Sequence, residues 1–408
     1  MPDPAFTLGI DCGTSGLRGV VVDAEGGVVA TAHRPFSPAT IDPALWAAAF
    51  DAVIAELAST APIACLAIDG TSGTILVTDG EGAPLGPALL YNDASAAELA
   101  PRIAALAPPE SAAHGATSPA ARLLRLQELH PEAAHALHQA DWLAARLTGH
   151  LGLSDDNNAL KLGWDPIKRA WPAWLAAFGI RTSLLPQVVE PGTPIGEVRQ
   201  GPLAGTRVVA GTTDGCASFL ATGASEPGHG VTALGTTLTI KLLSERPIFA
   251  PEHGIYSHRI LGAWLAGGAS NSGGGALLRY FDADEIEALS PLLRPDEPID
   301  LGWHPLPGTG ERFPLADPSL TFDPTDIPLE RGRFLQALME GIARIEAMAY
   351  RRLAELGGPP LRSVRTVGGG ARNGAWTRIR ARHLGVPLLS PPSTDAARGT
   401  ARLARKGL

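Results

Sequence analysis

Four short turns rich in Gly, Thr and Ser each follow an apolar run of the chain. The turns lie at residues 11–16, 69–74, 211–215 and 235–237, and of the aspartates in these turns Asp11 and Asp214 are the candidate functional residues. Turns of this kind direct backbone N–H groups and hydroxyls at one point, which suits phosphate groups. A carboxylate beside a phosphate is unfavourable unless it holds Mg²⁺ or takes up a proton. The pattern therefore indicates nucleotide-dependent phosphoryl transfer.

The same residues also have an ordinary structural interpretation. A single Gly-Thr-Ser turn is most often only a turn, and Asp214 stands at a position typical of a helix N-cap. The two roles of Asp214 are compatible, because an aspartate fixed at the start of a helix is well oriented for proton transfer. Four such turns, each after an apolar run, favour the functional interpretation.

The familiar nucleotide-binding motifs are absent from this sequence. The chain has only four lysines, Lys161, Lys168, Lys241 and Lys406. None of them lies in a G-x-x-x-x-G-K-[ST] sequence, and no clean G-x-G-x-x-G occurs. The V-A-I-K, H-R-D and D-F-G set of protein kinases is missing as well. We therefore expect phosphate to be bound by backbone amides, Thr and Ser hydroxyls and Mg²⁺.

The elements that must position these turns mix strands with helices. Apolar runs predict strands at 6–10, 17–22, 208–210, 364–367 and 387–390, and a hairpin at 230–241. The stretch 65–79 reads as a second copy of the first strand–turn–strand unit. Helical spacing predicts helices at 44–58, 216–221 and 333–356, one ending near 384, one starting near 393, and a helical region at 95–147. This order predicts an α/β or α+β architecture in two similar halves, with a boundary near 221–230.

Length and composition restrict the class of protein. With 408 residues the chain can form two or three domains, and its net charge of −8 gives no support to a nucleic-acid surface. No apolar run reaches the roughly 18 residues of a membrane span, and no signal peptide is visible at residues 1–10. Three scattered cysteines fit buried thiols in a reducing compartment. We expect a cytoplasmic protein without nucleic-acid or membrane partners.

Taken together and in order, the motifs resemble those of the FGGY family of carbohydrate kinases, within the actin/hexokinase/Hsp70 ATPase superfamily. Gly-Ile-Asp-Cys-Gly-Thr-Ser-Gly at 9–16 is similar to the family's first phosphate hairpin, Gly-Thr-Thr-Asp at 211–214 to its G-x-x-D segment, and Ala-Leu-Gly-Thr-Thr at 233–237 to its second phosphate hairpin. Gly-Ala-Ser-Asn-Ser-Gly-Gly at 268–274, Gly-Glu-Arg at 310–312 and Gly-Gly-Gly-Ala-Arg-Asn at 368–373 match further family segments. The resemblance covers nearly the whole chain.

The resemblance implies an α/β fold of two RNase H-like, actin-like ATPase domains, with mixed sheets flanked by helices and a cleft between them. The N-terminal, sugar-binding domain would comprise residues 1–221 and the C-terminal, ATP-binding domain residues 222–395. A last helix, 396–408, would pack back on the N-terminal domain. The chain is shorter than many relatives, which suggests a monomer or a small homo-oligomer.

The resemblance also implies roles for individual residues. Asp214 would be the base that accepts the proton of the sugar hydroxyl, and Asp11 would hold Mg²⁺. The sugar would contact Asp11, Ser72, Asp93 and Asp214. ATP would contact Thr14 and Ser15, then Gly235, Thr236 and Thr237 through its β- and γ-phosphates, and Gly369, Gly370, Asn373 and Trp376 through adenosine. An arginine that relatives often carry just after the position of Asp93 is absent here.

The substrate expected from the resemblance is a small ketose. Ile-Asp-Gly-Thr-Ser-Gly-Thr at 68–74 resembles the segment of ribulose-kinase-like members, and the Q-M-H-G typical of xylulokinases is absent. D-ribulose is therefore the first expectation, with D-xylulose or another pentulose or polyol as the alternative. A non-catalytic ATP-switch protein of the same fold is the alternative outside this class. By the resemblance, Asn157, Asn158 and Lys161 lie where the family approaches the cleft; Lys161 is a candidate functional residue whose role stays open.

Overall fold

The chain forms two compact units in this structure, a computed structural model that describes residues 5–36, 42–324 and 329–408. The N-terminal unit runs to Ala221 and includes His258–Gly262 and Ser393–Leu408, whereas Thr222–Ser257 and Ala263–Pro392 form the C-terminal unit. The predicted second domain, 222–395, includes residues 258–262 and 393–395, which the structure places in the N-terminal unit instead. Residues 1–4, part of the segment searched for a signal peptide, lie outside the described residues.

A mixed sheet is the centre of the N-terminal unit. The strands of this unit are β1 (Phe6–Cys12), β2 (Gly16–Val22), β3 (Val28–Pro35), β4 (Ile63–Gly70), β5 (Ile75–Thr78), β6 (His135–His138), β7 (Leu153–Asp155), β8 (Gln187–Val189), β9 (Pro194–Glu197), β10 (Arg207–Val209) and β11 (Thr212–Thr213). The main sheet has the order β3-β2-β1-β4-β10-β9, and β11 pairs with the end of β4. Strands β1, β4, β10 and β11 run parallel, so their carboxyl ends meet at one edge.

Helices cover this sheet and build a second, smaller core beside it. They are α1 (Pro43–Leu57), α2 (Ala100–Leu106), α3 (Pro119–Leu129), α4 (Gln139–Thr148), α5 (Asp156–Leu162), α6 (Trp174–Phe178) and α7 (Asp214–Ala221). The apolar face of α1, with Trp46 and Phe50, packs on Leu8 and Ile10 of β1 in one cluster. The apolar runs of β1 and β4 are continuous because both faces of these strands are buried.

Two sequence-based predictions about this unit are wrong. Strand β5 pairs with β6 rather than with β4, so residues 65–79 are not a second copy of the β1–β2 hairpin. The strand β6 also interrupts the helical region predicted at 95–147. The cause is the same in both cases. Burial of the apolar β5 between β6 and a separate apolar cluster outweighs the local helical preference of the Ala- and Leu-rich sequence.

The C-terminal unit is built on a second sheet. The elements after α7 are strands β12 (His229–Leu234), β13 (Leu238–Ser244), β14 (Tyr256–Ile260), β15 (Ala263–Ser270), β16 (Ser363–Val367) and β17 (Leu388–Leu389), with helices α8 (Gly274–Leu277), α9 (Ala283–Leu289), α10 (Arg331–Glu355) and α11 (Gly374–Leu384). The sheet order is β14-β15-β13-β12-β16-β17. The predicted hairpin is β12–β13, and the predicted amphipathic helix is α10, whose Leu335, Leu338 and Ile342 are buried. The α/β fold with mixed sheets flanked by helices is therefore confirmed.

The last helix, α12 (Ala396–Ala404), belongs to the N-terminal unit. It crosses β1 at Gly9, where a Cβ atom would stand 2.0 Å from the carbonyl oxygen of Ala397 and 2.1 Å from the amide nitrogen of Ala401. Only glycine permits this approach of helix and strand backbones. The contact brings the side chain of Thr400 to the carboxyl end of β4. No helix among the residues that the structure describes is both long enough and apolar enough to cross a membrane.

Candidate active site

Three aspartates follow three neighbouring parallel strands of the N-terminal unit. Asp11 on β1 stands opposite Asp69 on β4, and Thr212 of β11 stands opposite Asp69 on the other side. Asp214 follows β11 directly and is the first residue of α7. The parallel register thus collects three carboxyl groups at one edge of the sheet. Asp69 begins the turn at 69–74, but the sequence gives it no role beside Asp11 and Asp214, because its closeness to Asp11 depends on pairing between distant strands.

The carboxyl groups of Asp11 and Asp69 are held close to each other in a buried setting. Burial raises the pKa of Asp11 to about 6; its neighbour Asp69 and the charge of Arg18 oppose the rise, and the charge of Asp214 adds to it. Burial, together with the charge of Asp11, raises the pKa of Asp69 far above its usual range, although the Thr400 hydroxyl donates a hydrogen bond to this carboxyl. One carboxyl oxygen of each aspartate is buried without a hydrogen-bond partner. The site therefore favours a cation or a proton.

Asp214 is half-buried, as Asp11 is, whereas Asp69 is fully buried; Asp214 differs from both because it begins a helix. Burial raises the pKa of Asp214, while the N–H groups of Gly215 and Ser72 and the charge of Lys161 lower it. The Gly215 N–H donates to Oδ1 of Asp214 over 2.8 Å. An accessible carboxylate held by backbone amides is suited to accept a proton from a bound ligand.

Of the other residues predicted to bind phosphate or sugar in the N-terminal unit, some lie next to these aspartates and one does not. Thr14 and Ser15 form the β1–β2 turn, directly after Asp11, with Thr14 half-buried and Ser15 exposed. Ser72 lies in the turn after β4 and directs its backbone N–H at Asp214. Asp93 lies farther along the chain in a turn that its own carboxylate closes, by accepting the N–H of Ser95 at 2.8 Å. Ser72 therefore contacts Asp214, the candidate base, whereas the hydrogen bond of Asp93 is to a neighbour in its own turn.

The buried Arg122 provides a positive charge near Asp93. This guanidinium donates to the carbonyl oxygens of Leu89, Leu90 and Thr117. Burial lowers the pKa of Arg122 to about 10, and the charge of Asp93 opposes that fall. Arg122 comes from α3, about thirty residues after the position where relatives often carry an arginine. The sequence analysis missed it because an arginine inside an Ala- and Leu-rich helix gives no local signal of a functional role.

A chain of amides fixes α5 to the strand that precedes Asp214. Asp155 caps α5 by accepting the N–H groups of Asn157 and Asn158. The Asn157 amide donates to the Thr212 hydroxyl at 2.9 Å, and the Asn158 amide donates to the Thr212 carbonyl at 3.2 Å. All of these side chains are buried. Helix α5 is therefore a rigid neighbour of the three aspartates, and Lys161 is in its last turn.

Six of the nine predicted ATP-binding residues line one large cavity of the C-terminal unit. This cavity has a volume of about 1350 Å³. Its walls include six of the predicted residues, which are Gly235, Thr236, Gly369, Gly370, Asn373 and Trp376. Thr237 is not among the lining residues. Its carbonyl oxygen accepts the N–H of Gly235 across the β12–β13 turn at 3.2 Å. The rest of the lining comes from α8, α9 and α11 and includes Leu277, Ile286 and Arg378, none of which the sequence indicates.

Asn373 and Trp376 shape this cavity through bonds that leave little of either side chain free. Asn373 Oδ1 accepts the Trp376 N–H at 2.9 Å and so caps α11, while its Nδ2 donates to Ser290 Oγ at 2.7 Å. The Trp376 indole is buried, and its Nε1 donates to the Met339 carbonyl oxygen at 3.2 Å. Strand β16 ends at Val367, and the next residue, Gly368, has a φ of +88°, a left-handed value that favours glycine. These residues therefore fix the loop that borders the cavity.

Glu311, of the Gly-Glu-Arg segment, braces the other loop beside the cavity. It accepts hydrogen bonds from Ser270 Oγ at 2.6 Å, the Asn271 N–H at 2.7 Å and His304 Nε2 at 2.8 Å. Although burial raises the pKa of Glu311, these bonds lower it below the usual value. The Ser272 carbonyl oxygen then accepts the N–H of Leu238 at the start of β13. Glu311 thus supports the β12–β13 turn through the end of β15.

Comparison with known proteins agrees with this arrangement of two units. Residues 6–221 match the N-terminal domain, and residues 230–407 the C-terminal domain, of the FGGY family of carbohydrate kinases. The chain is 29% identical to a xylulose kinase of Streptomyces coelicolor, over 96% of this chain and 85% of that protein. It is 27% identical to a xylulose kinase of Escherichia coli, over 98% of this chain and 89% of that protein.

A solved structure gives the same result for the fold. The crystal structure of xylulose kinase from Rhodospirillum rubrum superimposes with a TM-score of 0.84 at 26% identity, covering 98% of this chain and 90% of that one. The two matched domains together span nearly all of the residues that the structure describes. The chain therefore belongs to the FGGY family of carbohydrate kinases and is an ATP-dependent sugar kinase.

Proposed function

We propose that this kinase transfers the γ-phosphoryl group of ATP to a terminal hydroxyl of a small ketose, and that D-ribulose is its preferred substrate. The observation that carries the proposal is the grouping of Asp11, Asp69 and Asp214 at one edge of the N-terminal sheet. Of the three, only Asp214 stands at the start of a helix, where its carboxylate accepts a backbone N–H. The sugar hydroxyl would donate its hydrogen bond to this carboxylate.

Asp214 would act as the general base. As the hydroxyl oxygen attacks phosphorus, its proton passes to the Asp214 carboxylate, and the bond between the γ-phosphorus and the bridging oxygen of ADP breaks. The N–H groups of Gly215 and Ser72 and the charge of Lys161 favour the ionised carboxylate. They therefore keep the base ready to accept a proton at neutral pH, although burial opposes ionisation.

The carboxyl groups fit a Mg²⁺ ion as cofactor. Asp11 Oδ1 is buried and has no hydrogen-bond partner, as expected for an oxygen that faces a cation or its water. Within the described ranges, no three His, Cys, Asp or Glu side chains are placed to hold a metal ion by themselves. Phosphate oxygens and water would therefore complete its ligands. When bound, Mg²⁺ would neutralise phosphate charge, while Thr14 and Ser15 bind phosphate oxygens.

ATP would place its adenosine in the cavity of the C-terminal unit. The mixture of an apolar wall, with Leu277, Ile286 and Trp376, and exposed glycine backbone suits a flat base and a ribose. The β12–β13 turn, with Gly235, Thr236 and Thr237, would bind the β- and γ-phosphates through N–H groups and hydroxyls.

The choice between ribulose and xylulose depends on residues beside the base. The segment Ile68–Thr74, which contains Asp69 and Ser72, resembles that of ribulose-kinase-like members. The names of the curated relatives above favour the alternative substrate, D-xylulose. The two sugars differ only in configuration at C3, so a direct comparison is decisive.

The test is sugar-dependent release of ADP across a panel of pentuloses, pentoses and polyols. We expect stimulation by pentuloses, with the highest kcat/KM for D-ribulose. A higher kcat/KM for D-xylulose would reverse the substrate assignment and leave the mechanism intact. ADP release that no sugar stimulates would instead support the non-catalytic ATP-switch protein.

A further inference from the structure

Lys161 is a cation with no assigned task in the last turn of α5. It is one of only four lysines, and its side chain is partly buried. Its ammonium group makes no hydrogen bond and no ion pair within 4.0 Å to any residue of the described ranges. Lys168, seven residues on, differs in both respects, since it is 81% exposed and stands 3.6 Å from Asp165. The setting of Lys161 therefore requires a different explanation from that of an ordinary solvated lysine.

The amides of α5 direct Lys161 towards the base candidate. Asn157 and Lys161 are four residues apart and so lie on one face of the helix. Asn157 on that face bonds to the Thr212 hydroxyl at 2.9 Å. Thr212 comes two residues before Asp214, so the same helix face carries the Lys161 side chain to the beginning of α7.

The electrostatic influence of Lys161 on Asp214 agrees with a side chain that points towards this aspartate. The charge of Lys161 is one of the influences that lower the pKa of Asp214. The two groups do not form an ion pair, so the Lys161 nitrogen is more than 4.0 Å from the oxygens of Asp214. The aliphatic stem of Lys161 lies against the turn after Ser72, where a Cβ on Gly73 would stand 3.8 Å from the Lys161 Cδ. Asp214, the Ser72 turn and Lys161 thus lie close to one another, although cation and carboxylate make no direct contact.

We propose that Lys161 is a further substrate-binding residue, which donates a charge-assisted hydrogen bond to a sugar oxygen next to the hydroxyl bound by Asp214. The inference rests on the kinase function proposed above. Two neighbouring oxygens of a sugar can bind both groups. The hydroxyl at the first donates to the Asp214 carboxylate, and the second oxygen accepts a hydrogen bond from the Lys161 ammonium. The ligand class is therefore a polyhydroxylated sugar rather than a simple alcohol with one hydroxyl.

The experiment compares Lys161→Met with the wild type and with Lys168→Met as a matched control. The dissociation constants of D-ribulose and D-xylulose are measured by calorimetry without ATP, and KM and kcat are measured for sugar and for ATP. Methionine keeps the length of the stem and removes only the charged donor. We expect Lys161→Met to raise the dissociation constant and KM of the preferred pentulose about 10- to 100-fold, with the KM of ATP unchanged. Lys168→Met should match the wild type.

Further measurements separate binding from folding and from the general function. Lys161→Arg should recover part of the sugar affinity, because it restores a charged donor, and thermal unfolding should show that both variants fold. Unchanged pentulose affinity and KM in Lys161→Met would overturn the inference, and so would an equal rise in the KM of ATP. A wild-type enzyme that phosphorylates no sugar would overturn the proposed function itself, which is a distinct result.

Discussion

Replacing Asp11 by asparagine should raise the melting temperature of this protein while it removes the kinase activity. In the native state the Asp11 carboxyl is buried beside Asp69 and near the charge of Asp214, and it has one oxygen without a partner. Asparagine has the same shape and carries no charge. The substitution therefore removes the cost of burying a charge, and with it the repulsion by Asp214, both of which exist in the folded chain and are absent from the unfolded chain.

The size of the effect follows from the pKa. The pKa of Asp11 rises from 3.8 to about 6 on folding, and a shift of one pKa unit corresponds to about 1.4 kcal/mol. Because Asp11 keeps partial contact with solvent and interacts with Asp69, we expect a gain of about 1–3 kcal/mol at pH 7, with about 2–4 °C in Tm per kcal/mol. The gain should fade as the pH falls from about 6 towards 3.8, because native Asp11 then takes up a proton and loses its charge.

The assay is thermal unfolding of the wild type and Asp11→Asn in metal-free buffer from pH 4 to pH 8. Asp51→Asn is the matched control, because Asp51 is exposed and pairs with Arg146 at 3.0 Å, so its loss should leave Tm the same or slightly lower. An Asp11→Asn variant that is less stable than the wild type at pH 7 would refute the reasoning. So would a gain in Tm that stays constant down to pH 4.

Other predictions concern the base, the metal and the packing of the last helix. Asp214→Asn should lower kcat about 10²- to 10⁴-fold with the affinity for ATP unchanged, and a loss below tenfold would remove Asp214 from the base role. Since the native pKa of Asp214 is raised and the base must be ionised, kcat/KM should fall on the acid side at a pH above the ordinary aspartate value. EDTA should stop sugar-dependent ADP release and excess Mg²⁺ should restore it; full activity in EDTA would contradict the metal assignment. Gly9→Ala places a Cβ 2.0 Å from the Ala397 oxygen and should destabilise the protein by about 1–3 kcal/mol or more, measured by urea unfolding, whereas an unchanged midpoint would show that α12 can shift freely.

The sequence predicts the strand ends that carry the chemistry, because a polar turn after an apolar run is a local signal. Asp11 and the turns at 11–16 and 235–237 belong to hairpins that form within a few residues, so their place in the fold follows from local pattern. The amphipathic α10 is equally local, since its apolar positions repeat every three or four residues. These features needed no knowledge of distant contacts.

The residues that the sequence analysis missed depend on contacts between distant parts of the chain. Asp69 gains its importance only through the parallel pairing of β1 with β4, and its hydrogen-bond donor Thr400 is 331 residues away. The strand β5 finds its partner β6 about sixty residues later, which a local pattern cannot specify. Arg122 lies in a helix where charged residues are ordinarily solvated, so only the folded structure shows its contacts. Lys161 is a candidate from the sequence, but its place near Asp214 also follows only from the fold.

The packing of α12 on β1 has a consequence for the order of events during protein synthesis. The main sheet of the N-terminal unit is translated early, but the helix that covers β1 and β2 at Val20 and Val22 comes from residues 396–404. A nascent chain that has left the ribosome only as far as the C-terminal unit still exposes this apolar face and lacks Thr400 beside Asp69. The early unit thus completes its fold after the later one has been made, and chaperones have that whole interval in which to bind the uncovered sheet.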